Sequence, residues 1–144
     1  MIAVVSFPGD PHAARVLGHL REAGRDVVLL DLSELPDRAT LTIDYGTNGH
    51  ACLEYHHAGE PSVDLDRVRT VWWRRPQAVD PSTVTDPDVR LFVGNEWHEA
   101  LNGLWQLLRD RRWVNDLVRL TTLGRAKRCN CAWRLSWDCA SRVH

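Results

Sequence analysis

Arg74 and Arg75 are the residues of this chain whose chemistry is easiest to place, because the segment carrying them reads as a strand that stops abruptly. Residues 69–76 run Arg-Thr-Val-Trp-Trp-Arg-Arg-Pro. Val71, Trp72 and Trp73 favour a pleated, buried strand, and alternation sets Trp72 with Arg74 on one face and Trp73 with Arg75 on the other. Pro76 has no N–H with which to extend the ladder. If this strand is central in an α/β sheet, both guanidiniums lie at its carboxyl end, where open sheets of this class bind ligands. A ligand contact is one use for them. Snorkelling to water or satisfying a nearby carboxylate is the other.

Other candidates are weaker. Asp10 and Asp31 each follow an apolar run and could touch a ribose or a phosphate-bound metal, but the Gly9 loop lacks a glycine-rich phosphate fingerprint. Helix caps and turn bonds are the expected uses. His56 and His57 end a strand with no second ligand pair nearby, which suits exposed histidines better than a metal site. Glu96 borders the apolar stripe of a long helix and calls for a cationic partner, for which Arg74 or Arg75 is the expectation.

The elements that would position these groups follow in order. Ile2 to Phe7 is a continuous apolar run, as in strands of a parallel sheet covered on both faces. After the turn Pro8-Gly9-Asp10-Pro11, residues 12–23 carry Ala13, Val16, Leu17 and Leu20 at helical spacing, and Gly24 stops the helix. Val27 to Leu32 is a second buried strand, so the chain opens as a βαβ unit. Residues 41–45 and 51–55 alternate around Gly46-Thr47-Asn48-Gly49, which predicts an antiparallel hairpin with one wet face. Residues 64–68 read as a short linker to the Trp-Trp-Arg-Arg strand. Asp86-Pro87-Asp88 starts the longest helix, whose stripe from Val89 through Phe92, Trp97, Leu101 and Leu104 to Leu108 extends as far as Arg111. Trp113-Val114-Asn115 is a short extended piece, and Leu117 to about Lys127 reads as another helix.

Length and composition bound the rest. A chain of 144 residues fits one domain able to bury roughly two thirds of its unfolded surface. Its formal net charge is −1, with acids and bases interspersed, which argues against a nucleic-acid or membrane surface. No signal peptide leads the chain and no run is long enough to span a bilayer, so a cytoplasmic address is expected. Three of the four cysteines, Cys129, Cys131 and Cys139, fall in the last sixteen residues. One residue between Cys129 and Cys131 is a poorer zinc spacing than two.

The ordered signals resemble a known family. A βαβ start, a small hairpin, Val71-Trp72-Trp73-Arg74-Arg75-Pro76, then Glu96 seven residues before Gly103-Leu104, then Trp113-Val114-Asn115 and Ala126-Lys127 look like the amino-terminal, pre-ATP-grasp domain of MvdD-like peptide maturases. These are the microviridin-type ATP-grasp ligases that close ester or amide rings in ribosomally made peptides. The resemblance covers Ile2 to Lys127, and its most specific part is the Trp-Arg-Arg-Pro strand together with the downstream Trp-Val-Asn. Asp116 departs from the family pattern, which has a proline soon after the asparagine. The resemblance implies a Rossmann-like α/β fold with a mostly parallel sheet, a small antiparallel hairpin and a long helix in the carboxyl-terminal half.

It further implies ATP and magnesium as cofactors of the full-length family, a ribosomal precursor or leader peptide as partner, and room for a homodimer. Lys127 matches a lysine at the start of the ATP-binding part that helps hold nucleotide phosphates. Arg74, Arg75 and Glu96 would serve interdomain or substrate-side contacts, with Trp72, Trp73, Pro76, Trp113 and Asn115 as motif positions. The nucleotide-clamping lobes lie beyond Lys127 in that family, so no catalysis is expected from this polypeptide alone, and nucleotide is expected to bind it poorly. A stand-alone, non-catalytic α/β module holding a leader peptide at its hairpin edge is the alternative.

The last residues fit neither reading as written. Residues 128–144 mix Cys, Trp, Arg and Ser without period or turn signals, as coding DNA translated in the wrong frame would. The family continues there with Lys, two residues and Gln-Leu. Codons rebuilt across the junctions give Gln or a stop at Cys129/Asn130, Leu at Asn130/Cys131, Gly at Trp137/Asp138 and Leu at Asp138/Cys139. With G or C at free third bases the tail reads approximately QLRVAAELGLRVP, an amphipathic helix ending in Gly-Leu and a proline. The expectation is a pre-ATP-grasp domain at residues 1–127 and a frameshifted tail at 128–144, with a genuine zinc or redox terminus as the other reading.

Overall fold

The structure is a computed structural model that describes residues 1–47 and 49–115. The helix expected from Leu117, Lys127 and the cysteine-rich tail lie outside the described residues. Two sheets form. Strands β1 (Ile2–Val5), β2 (Val27–Leu30), β6 (Thr70–Trp73) and β7 (Arg112–Val114) make a four-stranded parallel sheet in the order β2-β1-β6-β7. Strands β3 (Ala39–Tyr45), β4 (Ala51–His57) and β5 (Val63–Asp64) make a separate antiparallel sheet in sequence order. Helix α1 (Pro11–Glu22) joins β1 to β2, and α2 (Pro87–Leu107) lies between β6 and β7 in the chain.

Local sequence explains the element ends. Asp10 is the N-cap of α1, its carboxylate accepting from the His12 and Ala13 N–H groups at 2.9 and 3.4 Å, with Pro11 in the first turn. At the other end Gly24 takes φ +66°, and the Gly24 and Arg25 N–H groups bond the Arg21 and Leu20 carbonyls at 2.9 Å each. That is a Schellman closure, which needs a residue without a Cβ penalty. Asp86 repeats the N-cap on α2, accepting from Asp88 and Val89.

Each face of the parallel sheet has its own cover. Val4, Ala13 and Leu17 pack with Trp72 on the α1 face. On the opposite face Ala3, Val5, Val71 and Trp73 meet Leu101, Leu104 and Leu108 from α2 and its end, together with Leu53 and Tyr55 of the hairpin. Trp72 and Trp73 therefore separate to opposite faces, as the alternation requires.

Three expectations need correction. Residues 64–68 are no linker: Val63–Asp64 adds a strand to the hairpin, Leu65–Arg67 is a 3-10 turn capped by Asp64, and Leu65 and Val68 are fully buried. The second strand ends at Leu30, because Asp31 turns its carboxylate onto the Ser33 N–H and caps a 3-10 turn at Leu32–Glu34. Helix α2 ends at Leu107, and its apolar stripe is covered only in its second half. Leu101 and Leu104 are buried, whereas Val89, Leu91 and Phe92 are 47%, 65% and 62% exposed.

Candidate functional site

Strand β6 is interior to its sheet, so Arg74 and Arg75 do leave the carboxyl end of a central strand. Both backbone N–H groups bond the Val5 carbonyl, at 3.1 and 3.3 Å, which ties the turn after β6 to the end of β1. The loop after β1 brings Ser6 and Asp10 to the same place, and both are fully buried. Arg74 Nε lies 3.3 Å from Asp10 Oδ2, and the Ser6 hydroxyl donates to that oxygen at 3.3 Å. The Arg74 contact lacks hydrogen-bond alignment, so it acts as an ion pair. Burial by itself raises the Asp10 carboxyl; the His12 and Ala13 N–H groups, the Arg74 guanidinium and the Ser6 hydroxyl outweigh it and hold the group below its ordinary 3.8.

The consequence is chemical. A helix N-terminus behind the first strand of a βαβ unit is the usual place for an anionic ligand group. Here the chain's own carboxylate fills that position and consumes the nearest guanidinium. The described residues therefore do not fit a nucleotide at this point. Among them, no cluster of three or more His, Cys, Asp or Glu side chains could hold a metal ion.

The remaining candidates scatter. Arg75 is exposed and makes no ion pair among the described residues. Glu96 is exposed on α2, and no ion pair joins it to Arg74 or Arg75, so the expected pairing fails: an exposed Glu96 needs no cation, and Asp10 is the partner of Arg74. Pro76 follows the end of β6. Trp113 sits on β7 opposite Val71 and donates its indole N–H to the Leu108 carbonyl at 3.0 Å. Asn115 takes φ +59° after β7, a conformation asparagine tolerates better than most residues. Sequence reasoning missed Trp105, which meets Trp73 edge-on at 5.2 Å and Trp113 at 6.0 Å and joins those two motif tryptophans in one aromatic cluster. Its helical spacing from Leu101 and Leu108 was the available signal.

A second concavity lies away from these arginines. A cleft of about 510 Å³ is lined by β2 on one side and by residues 60–64 on the other, with Tyr55, Glu34 and His57 between. Burial, with the Asp31 charge, pushes the Tyr55 hydroxyl up to about 12. His57 Nε2 lies 3.6 Å from Glu34 and its Nδ1 lies 3.9 Å from Glu60.

Comparison with known proteins agrees with this architecture. A family model described as the MvdD pre-ATP grasp domain matches residues 1–121. Among solved structures, the macrocyclase MdnB from Microcystis aeruginosa MRC aligns with a TM-score of 0.74 at 24% identity, over 84% of this chain and 39% of that one. The macrocyclase MdnC of the same source, bound with precursor peptide MdnA, aligns at 0.72 and 16% identity over 86% and 40%. A Chryseobacterium gregarium RiPP-associated ATP-grasp ligase, in complex with ADP and a leader and core peptide, aligns at 0.68 and 19% identity over 86% and 37%. At these identities the likeness shows the fold. The chain spans about two fifths of the length of each. No curated protein matches.

Proposed function

Because this chain belongs to the family of MvdD pre-ATP-grasp domains, we propose that it is the non-catalytic front domain of an ATP-dependent ligase that closes rings in a ribosomally made precursor peptide. The observation that carries this reading is the match over residues 1–121 to a domain whose solved relatives continue into ligases more than twice as long. In such a ligase ATP, with magnesium, activates a carboxylate as an acyl phosphate that an amine or hydroxyl displaces. The described residues supply no part of that chemistry, since Asp10 and Arg74 satisfy each other.

The domain's contribution is then positional. Arg75, exposed at the end of β6, and Glu96, exposed on α2, are the contacts offered to the following domain or to the substrate peptide. Arg74 supports Arg75 from the turn it shares, and Lys127 is assigned to the start of the nucleotide-binding part. Residues 128–144 are assigned to a displaced reading frame, with the domain boundary at 127.

Resequencing the coding DNA across the Lys127 codon tests this. One added base is expected to open a long frame beginning Gln-Leu and carrying magnesium-binding acids. The protein read from that frame should consume ATP in the presence of a precursor peptide, whereas the 144-residue chain should not. Confirmation of the present frame with nothing ligase-like downstream would sink the proposal. The alternative of a free-standing leader-binding module is not favoured by relatives that carry this fold within ligases.

A further inference from the structure

The cleft beside β2 is bounded by two strand edges that pair with nothing among the described residues. β2 is the outer strand of the parallel sheet and β5 the outer strand of the antiparallel one, and both line the same concavity. The Ile2 N–H bonds the Asp26 carbonyl at 2.8 Å and the Ser6 N–H bonds the Leu30 carbonyl at 3.2 Å, which fixes the phase of the β1–β2 ladder. In a parallel ladder residues alternate between turning their backbone groups toward and away from one neighbour. Asp26, Val28 and Leu30 turn toward β1. The N–H and C=O of Val27 and Leu29 therefore point outward, and none of these four groups meets a partner among the described residues.

Charge says what would fit. Asp26, Asp31, Glu34, Glu60 and Asp64 line the cleft against Arg21, Arg67 and the Met1 ammonium, an excess of two negative charges with His57 neutral. Asp26 and Arg67 cancel each other at 3.1 Å, and Asp31 is turned onto Ser33. At the β5 side Asp64 caps its 3-10 turn through the Asp66 N–H at 2.9 Å and Glu60 lies 3.9 Å from His57 Nδ1, and both exposed carboxylates lack a Lys or Arg partner among the described residues. The volume, about 510 Å³, is within the range of ligand-holding clefts.

We propose that this cleft takes an extended peptide segment bearing lysine or arginine, which adds to β2 as a fifth strand through the Val27 and Leu29 backbone groups while its cations face Glu60 and Asp64. Main-chain bonds supply affinity in such strand addition, and side chains on alternate positions supply selectivity. The inference concerns a site apart from the Arg74–Arg75 end and does not rest on the ligase reading.

The test is titration of the ¹⁵N-labelled 144-residue chain with the probe acetyl-KVKVK-amide, and with acetyl-EVEVE-amide as its charge-reversed counterpart. Saturable shifts centred on the Val27, Leu29, Val63 and Asp64 amides are expected for the basic peptide only. Val27→Pro removes one outward N–H at the first residue of β2 without touching the ladder, and should weaken binding roughly tenfold. Glu60→Lys, at an exposed position that the fold does not need, should weaken it roughly threefold and serves if the proline variant misfolds. Equal binding of the acidic peptide, shifts located elsewhere, no binding, or β2 shifts that follow protein concentration without peptide (self-pairing of the edge) would each overturn the proposal.

Discussion

The carboxyl end of the parallel sheet and its free side at β2 make opposite uses of the same materials. Both gather backbone polar groups and carboxylates in a concave place. At the carboxyl end the polar groups are spent inward: Asp10 takes two α1 N–H groups, the Ser6 hydroxyl and the Arg74 guanidinium, and is fully buried. At β2 the outward groups of Val27 and Leu29 meet no partner among the described residues, and the carboxylates lining the cleft outnumber the cations. The place where open α/β sheets usually bind is thus closed by the chain itself, and binding capacity is left on the flank. The fold class, then, names a customary site, and the charges decide whether it is vacant.

The strongest way to break this contrast is to empty the closed end. Asp10→Ala removes the α1 cap and strips Arg74 of its counter-ion, and should cost about 3 kcal/mol in urea denaturation, from a cap of about 1 kcal/mol and a broken, mostly buried ion pair. Asp10→Asn keeps the cap and should cost about half as much. Because the folded-state pKa is depressed, the stability it lends is present above the ordinary carboxylate value of 3.8 and fades as pH falls below it through the folded value. A wild-type acid limb of stability below 3.8 that Asp10→Asn does not flatten would show that the charge is not what closes the end.

How much of this was legible follows from range. The division of Trp72 from Trp73 needs only the period of two, and the Asp10 and Asp86 caps need only an acid ahead of a proline-started helix. The partner of Arg74 was beyond that reach, since it depends on β6 lying beside β1 rather than β2, a choice made 64 residues apart in sequence. Glu96 borders the α2 stripe, and it would need a cationic partner only if that stretch of the helix were covered. The cover ends near Trp97, so Glu96 stays in water and Phe92 stays exposed. Leu65 and Val68 looked like linker residues because a two-residue strand and one 3-10 turn leave no period to read. The cleft was invisible for the same reason as the ion pair: its walls come from two sheets.

A middle-sized effect sharpens the other member of the contrast. The Tyr55 hydroxyl faces the Asp31 carbonyl at 3.5 Å and is pushed up to about 12, from 10.0, by burial and then by the Asp31 charge. The neutral phenol is the form the fold prefers, so its contribution is whole below pH 10.0 and is lost as pH rises toward 12. Wild type should lose about 2 kcal/mol across that interval, read from denaturation midpoints at stepped pH. Tyr55→Phe should cost under about 1 kcal/mol at neutral pH and abolish the alkaline loss. An unchanged alkaline loss in Tyr55→Phe would mean that a group other than the buried Tyr55 phenol titrates across that interval.

The smallest effect discriminates best between the two adjacent arginines. Arg74 has a buried counter-ion, whereas Arg75 is exposed with no ion pair among the described residues, so Arg75→Gln should change the stability of this chain by less than about 0.5 kcal/mol. Arg74→Gln should cost about 1–2 kcal/mol, because Asp10 keeps its N–H partners but loses its cation. Residues whose removal the isolated fold does not notice, yet which stand at the end of a central strand, are the ones available to a neighbouring domain or a peptide. If the proposed longer frame encodes the ligase, Arg75→Gln in that protein should therefore lower ATP-dependent turnover of the precursor while the melting behaviour of the 144-residue chain stays as it was. Equal stability losses for the two variants would place Arg75 inside the closed end, and the assignment of outward contacts to it would fall.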